Sequence, residues 1–285
     1  MIHGAIADPA SISRRINAER IVLLGWARAI LLQLAHPLIA AAVHDHSGFR
    51  ASTWTAASRL YHTVHAMLAL TFGSDADRER ALGGIQMIHQ RVHGRLSAGA
   101  GRFATGTAYS AEDPDLVLWV HATLLESVPM AYERLVGPLT TAERDAYCAE
   151  SASVAVALLA RSDEVPRTWD AARTYLDRMY ASGDLVVSAQ ARELARAVLS
   201  PGAAAWVAAP ATWTNRIVTI GLLPASIREQ YGLAWTRRHQ RTFDAMLPML
   251  RAARRLLPDA LALWPESRIT NHQSPTDHQS PIANH

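Results

Sequence analysis

The chain has 285 residues, 49% apolar and 19% charged, which is enough apolar side chain for one large core and unlike a disordered or fibrous polypeptide. Its cations are all arginine: 28 stand against 25 Asp and Glu, lysine is absent, and the net charge is +3. Arginines alternate with acids, as in Asp77-Arg78-Glu79-Arg80 and Glu143-Arg144-Asp145, so the charge is too evenly spread for a nucleic-acid surface and reads as solvated helix faces. One cysteine, Cys148, leaves no intramolecular disulfide or thiolate zinc site and reads as buried filler.

The first twenty residues lack the apolar core and small-residue cleavage site of a secretory signal, so a cytoplasmic location is expected. Ser11 is a first helix cap. Residues 21–43 are apolar and long enough to span a bilayer, but they carry Arg28, Gln33, His36 and the helix-breaking Pro37. Buried core is the favoured reading, with peripheral membrane contact left open. Ser47-Gly48 precedes a helix over about 52–72, and Gly73-Ser74-Asp75 separates it from one running to about 96. Residues 96–115 are Gly-rich and polar, the signature of a functional loop or lid, and pass into a helix starting near Pro114 and ending near 136. Further helices are expected near 140–161, opened by a Thr140/Thr141 and Glu143 capping box, and near 168–182, 188–199, 203–222 and 233–257. No run shows sustained strand alternation and no long repeat appears. The expected fold is all-α: one large multi-helix domain over 1–264, followed by a disordered tail over 265–285 in which HQSP occurs twice.

Chemistry is expected in the N-terminal half, which holds nine of the thirteen histidines before residue 122. In Arg59-Leu60-Tyr61-His62-Thr63, helical spacing brings Arg59, His62 and Thr63 onto one polar face of an apolar helix. They could hydrogen-bond a bound oxygen species, or form a buried salt-bridge or capping network. In His89-Gln90-Arg91-Val92-His93 an i, i+4 histidine pair could hold one metal ion, or a single histidine of this helix could be an axial haem ligand, or both could be partly exposed surface residues. A zincin would need glutamate where Gln90 stands, and a four-helix di-iron site would need Glu-x-x-His motifs, which the chain lacks. His36 and His121 sit in apolar runs and read first as hydrogen-bonded core residues, while His44 and His46 do not share a helical face. No nucleophile elbow, P-loop or dinucleotide fingerprint is present.

Taken in order, LLQLAHPLIAAAVHDHSGF, RLYHT, IHQRVHG, YSAEDPDLVLWVHATLLES and LLPASIREQYGLAW resemble the rubber-oxygenase family, the all-helical domain of bacterial latex-clearing proteins and of the mycophenolic-acid-pathway oxygenase MpaB. The resemblance covers roughly residues 15–260. It implies a haem b pocket (iron) and O2-dependent oxidation, often cleavage of a carbon–carbon double bond, of a hydrophobic unsaturated, isoprenoid-like molecule. By position it implies His89 as proximal ligand, with His93 as rival, and Arg59 and Thr63 as distal-side residues. Latex-clearing proteins carry a lysine just before that threonine; here the position is His62, a second candidate iron ligand. His121 is a further cofactor-pocket candidate. Two other readings stay open: a non-catalytic helical haem or lipid carrier, and a non-haem metalloenzyme using His89, His93 and a remote carboxylate. No oligomeric state is implied.

Overall fold

The apolar stretch 21–43 breaks in two where Pro37 cannot continue the helix before it. The computed structural model describes residues 11–46, 53–199 and 209–269. Within them α1 (Ile12–Asn17) and a 3-10 turn at Arg20–Val22 lead into α2 (Leu23–Leu34), and α3 (Pro37–His46) leaves it at 105°. The chain continues through α4 (Thr53–Phe72), α5 (Asp75–Arg91), β1 (His93–Arg95), β2 (Ala108–Ser110), α6 (Pro114–Leu135), α7 (Thr141–Ala157), α8 (Trp169–Ala181) and α9 (Ala189–Leu199). It ends with α10 (Ala209–Leu222), α11 (Ala225–Gln230), α12 (Arg237–Leu256), α13 (Asp259–Ala262) and α14 (Glu266–Ile269). The expected Ser47-Gly48 signal, the 200–208 part of the helix expected from 203, and the tail beyond 269 lie outside the described residues.

The architecture is a helical domain with α2 against α6 at its centre. Close approach there depends on a missing side chain: a Cβ on Gly25 would stand 2.4 Å from the Ser127 carbonyl oxygen and 2.8 Å from the Ala131 Cβ. Arg28 and Gln33 of the 21–43 stretch find their partners inside this interface. The Arg28 guanidinium donates through Nε to the Leu222 carbonyl (2.8 Å) and through one NH2 group to Ser127 Oγ (2.6 Å), and pairs with Glu126 (2.8 Å). Tyr180 donates to the same Glu126 carboxylate (3.1 Å), and Gln33 donates to Thr123 (3.0 Å). Leu31, Leu32, Ala35, Ala40 and Ala41 are fully enclosed, so the stretch is core. Among the described residues no single helix is long and apolar enough to cross a membrane.

Local caps set the outer helices. Ser11 caps α1 and donates to Glu150 (2.7 Å), and Thr140 with Glu143 forms a capping box on α7. The described C-terminal end closes on the N-terminal one, where Arg254 pairs with Glu19 and the Trp264 N–H donates to the Ala18 carbonyl (3.0 Å). Cys148 is buried, and burial pushes its thiol up to about 12, consistent with an inert core residue.

Candidate active site

The α4/α5 hairpin turns at Gly73, where a Cβ would lie 2.5 Å from the Ala69 carbonyl oxygen, and at Ser74, which shares a capping box with Asp77. By the 1.5 Å rise per helical residue, Arg59 in α4 and His89 in α5 each lie about 20 Å from this turn. The hairpin therefore carries both to the end remote from the turn. His89 occupies the last turn of α5, and its carbonyl accepts the Val92 N–H (3.0 Å) that caps the helix.

Two expectations change here. The helix read as reaching about 96 stops at Arg91, because Val92 leaves helical geometry (φ −97°, ψ 89°) and His93 opens β1. His93 is therefore not on the helical face of His89, and the i, i+4 pair does not form. The segment read as a strandless loop is a β-hairpin, with His93, Gly94 and Arg95 paired antiparallel to Ser110, Tyr109 and Ala108. Its Gly-rich tip is stitched by Leu96 N–H to Thr107 O (2.9 Å), Gly106 N–H to Leu96 O (2.9 Å) and reciprocal Ala100 and Phe103 bonds. Gly94 is required because a Cβ there would meet the Tyr109 hydroxyl at 2.4 Å. Leu96 and Tyr109 are buried, and Tyr109 donates to Asp45 at the end of α3 (2.8 Å). Burial, with that hydrogen bond, pushes Tyr109 up to about 12. The hairpin is thus fastened to α3.

His121 lies on α6, which starts at Pro114 behind the Asp113 cap, and the charges of Glu112 and Asp113 just before that helix act on His89 and His36. His89 is half-buried; burial holds it below its ordinary value, partly opposed by the charge of Glu112. His36 lies in the α2–α3 bend, 5% exposed, with its ring 5.2 Å from Phe103 of the hairpin tip. Burial depresses it to about 4 against the opposing charges of Asp184 and Asp113. His121, 8% exposed, lies about 12 Å along α6 from the Asp113 cap and is likewise depressed to about 4 by burial. All three are neutral at pH 7, the form in which imidazole ligates metal. His121 Nε2 and His36 Nδ1 are buried with no hydrogen-bond partner among the described residues. The expectation of hydrogen-bonded core histidines is met in burial and not in bonding, and an orphaned buried nitrogen costs about 1–3 kcal/mol unless something occupies it.

The polar face of α4 differs from its buried-network reading. His62 and Thr63 are exposed, while Val64 beside them packs in the cluster that includes Leu125 and Val128 of α6. Arg59 lies in α4, and its side chain falls outside the described residues. His44 and His46 sit in the last turn of α3 with different partners: His44 bonds Asp45 (3.0 Å) and Gln190 (3.2 Å), and His46 donates to the His93 carbonyl (3.1 Å). Among the described residues no group of three or more His, Cys, Asp and Glu is arranged to hold a metal ion. His36, which the sequence reading left in the core, is buried there, at the bend that Pro37 marks.

The model of the ER-bound oxygenase mpaB/B'/rubber oxygenase catalytic domain matches residues 13–252. The chain belongs to this oxygenase family. Two relatives are similar along most of their length, the uncharacterized proteins Mb2261 of Mycobacterium bovis and Rv2237 of Mycobacterium tuberculosis. Each is 29% identical over 234 residues, covering 80% of this chain and 87% of the relative. No solved structure matches the chain. The mpaB/rubber oxygenase match spans both α4 and the His89 to His121 region, so every candidate residue named above lies within it.

Proposed function

We propose that this chain is a haem b-dependent oxygenase that uses O2 to oxidise, or cleave at a double bond, a hydrophobic unsaturated molecule of isoprenoid type. Family membership supports the oxygenase part. The observation that carries the cofactor part is the set of neutral imidazoles, above all half-buried His89 and the unpartnered Nε2 of His121. Their chemistry fits a haem, which needs one strong uncharged nitrogen donor and an apolar slot. Both the His121 side chain and the flanking Leu118 and Leu125 are withdrawn from solvent.

When bound, haem supplies the activation of O2. The residues of this chain hold and tune it. His89 offers its lone pair without first losing a proton, and the negative charge of Glu112 nearby increases the basicity of that ring. With haem held, Arg59 and Thr63 would supply hydrogen-bond donors, and exposed His62 would be a further ring nitrogen in reach of a ligand. His121 has a buried ring nitrogen without a partner, and its buried aliphatic neighbours Leu118 and Leu125 would lower the local polarity for an alkene. The substrate class favours a cytoplasmic enzyme in peripheral contact with a membrane surface, where such molecules partition.

The test is O2 uptake by haem-loaded protein supplied with a linear polyunsaturated isoprenoid, with carbonyl products read by mass spectrometry. Uptake lost in Arg59→Ala and Thr63→Ala, with haem retained, is the expected result. Haem bound tightly with no O2 uptake on any unsaturated lipid would overturn the oxygenase reading in favour of a carrier.

A further inference from the structure

Away from α6 the even alternation of charge fails. Between residues 190 and 241 seven arginines stand against two acids, Glu193 and Glu229. Folding brings several of them around two adjoining cavities, of about 370 and 260 Å³, that share Arg216 of α10. The first is walled by Trp213, Arg216, Arg238 and His239, and the second by Arg192, Arg196 and Arg216. Among the described residues Arg196, Arg216 and Arg238 enter no hydrogen bond or ion pair, whereas Arg15, Arg80, Arg144 and Arg161 each have a carboxylate partner. Glu193 turns the other way, toward His44 (3.6 Å), and Asp244 is engaged by Gln240 (2.8 Å).

Two of the surrounding donors are held in place. Arg192 is pinned by two bonds to the Gln230 carbonyl (3.1 and 3.0 Å). His239 Nδ1 accepts the Thr236 N–H (3.2 Å), which leaves Nε2 as the ring's donor. Trp213 is 51% exposed at the mouth of the first cavity, a flat apolar face beside the cations. Converging guanidinium groups without a counter-charge repel one another and match the fork geometry of a phosphate.

We propose that this groove binds a phosphate or diphosphate group, with Arg216 as the shared central ligand and Arg196 and Arg238 on its flanks. The phosphate chemistry is common to a soluble phosphorylated molecule and to a lipid headgroup, and Trp213 would carry the apolar part of either. The test uses the full-length protein with two probes: inorganic pyrophosphate by titration calorimetry, and phosphatidylcholine vesicles with or without phosphatidic acid by cosedimentation. Saturable pyrophosphate binding, weakened tenfold or more in Arg216→Gln, less so in Arg216→Lys and unchanged in Arg80→Gln, supports a soluble ligand. Binding only to phosphatidic acid vesicles, lost in Arg216→Gln, supports a headgroup. Circular dichroism checks folding, and Arg238→Gln serves as second variant if Arg216→Gln is misfolded. No binding to either probe, or binding that these variants leave unchanged, overturns the proposal.

Discussion

Two buried neutral histidines make stability depend on pH in a window where carboxylates stay charged. His36 and His121 bind a proton with an ordinary value near 6.5 when unfolded and about 4 when folded. The unfolded chain therefore takes up more protons as pH falls from 6.5 to 4, and stability declines through that interval, being complete above 6.5. At about 1.4 kcal/mol per pH unit, each histidine removes about 3–4 kcal/mol across the window, and the pair about 7. That is comparable to the whole stability of an ordinary domain, about 5–15 kcal/mol. Urea unfolding at pH 7.5, 6 and 5 measures the slope. The wild type should lose stability steeply, His36→Leu or His121→Leu should each flatten the loss by roughly half, and the double variant should remove most of it. A double variant with the parent slope between pH 7 and 5 would refute the assignment of these two rings as buried and neutral.

At Gly25, replacement by alanine should destabilise although alanine is the better helix former by about 1 kcal/mol, because the added Cβ meets a backbone oxygen at 2.4 Å. A net loss of about 1–2 kcal/mol, seen as a fall in Tm, is expected; a rise would contradict the α2–α6 contact. Arg28→Met should cost about 3 kcal/mol in urea unfolding, since it leaves Glu126 without its cation in a largely buried site. Unchanged stability would show that the network is dispensable.

Much of the fold was readable because its signals are local. The helices expected at 114–136, 168–182 and 188–199 form at Pro114–Leu135, Trp169–Ala181 and Ala189–Leu199, each fixed by a cap, a proline or a glycine nearby. The Thr140/Glu143 capping box forms as spaced. What failed depends on tertiary pairing: His93-Gly94-Arg95 has no strand character of its own and becomes one only because Ala108–Ser110 returns beside it. That return ends α5 and separates His93 from His89. In the candidate site, the family resemblance pointed to His89, Arg59, Thr63 and His62, but not to exposure, which set His62 and Thr63 on the surface. The unpartnered nitrogens of His36 and His121 were invisible, because satisfaction of a buried polar atom is a property of its neighbours in space. The basic groove was hidden for the same reason: its arginines belong to α9, α10 and α12.

The most direct test of the haem reading is a visible absorption spectrum of the purified protein, as isolated and after haem reconstitution, beside His89→Ala. The account predicts a Soret band with one equivalent of haem in the parent and its collapse or marked shift in the variant. No band in the reconstituted parent, or a band identical in His89→Ala, would contradict it.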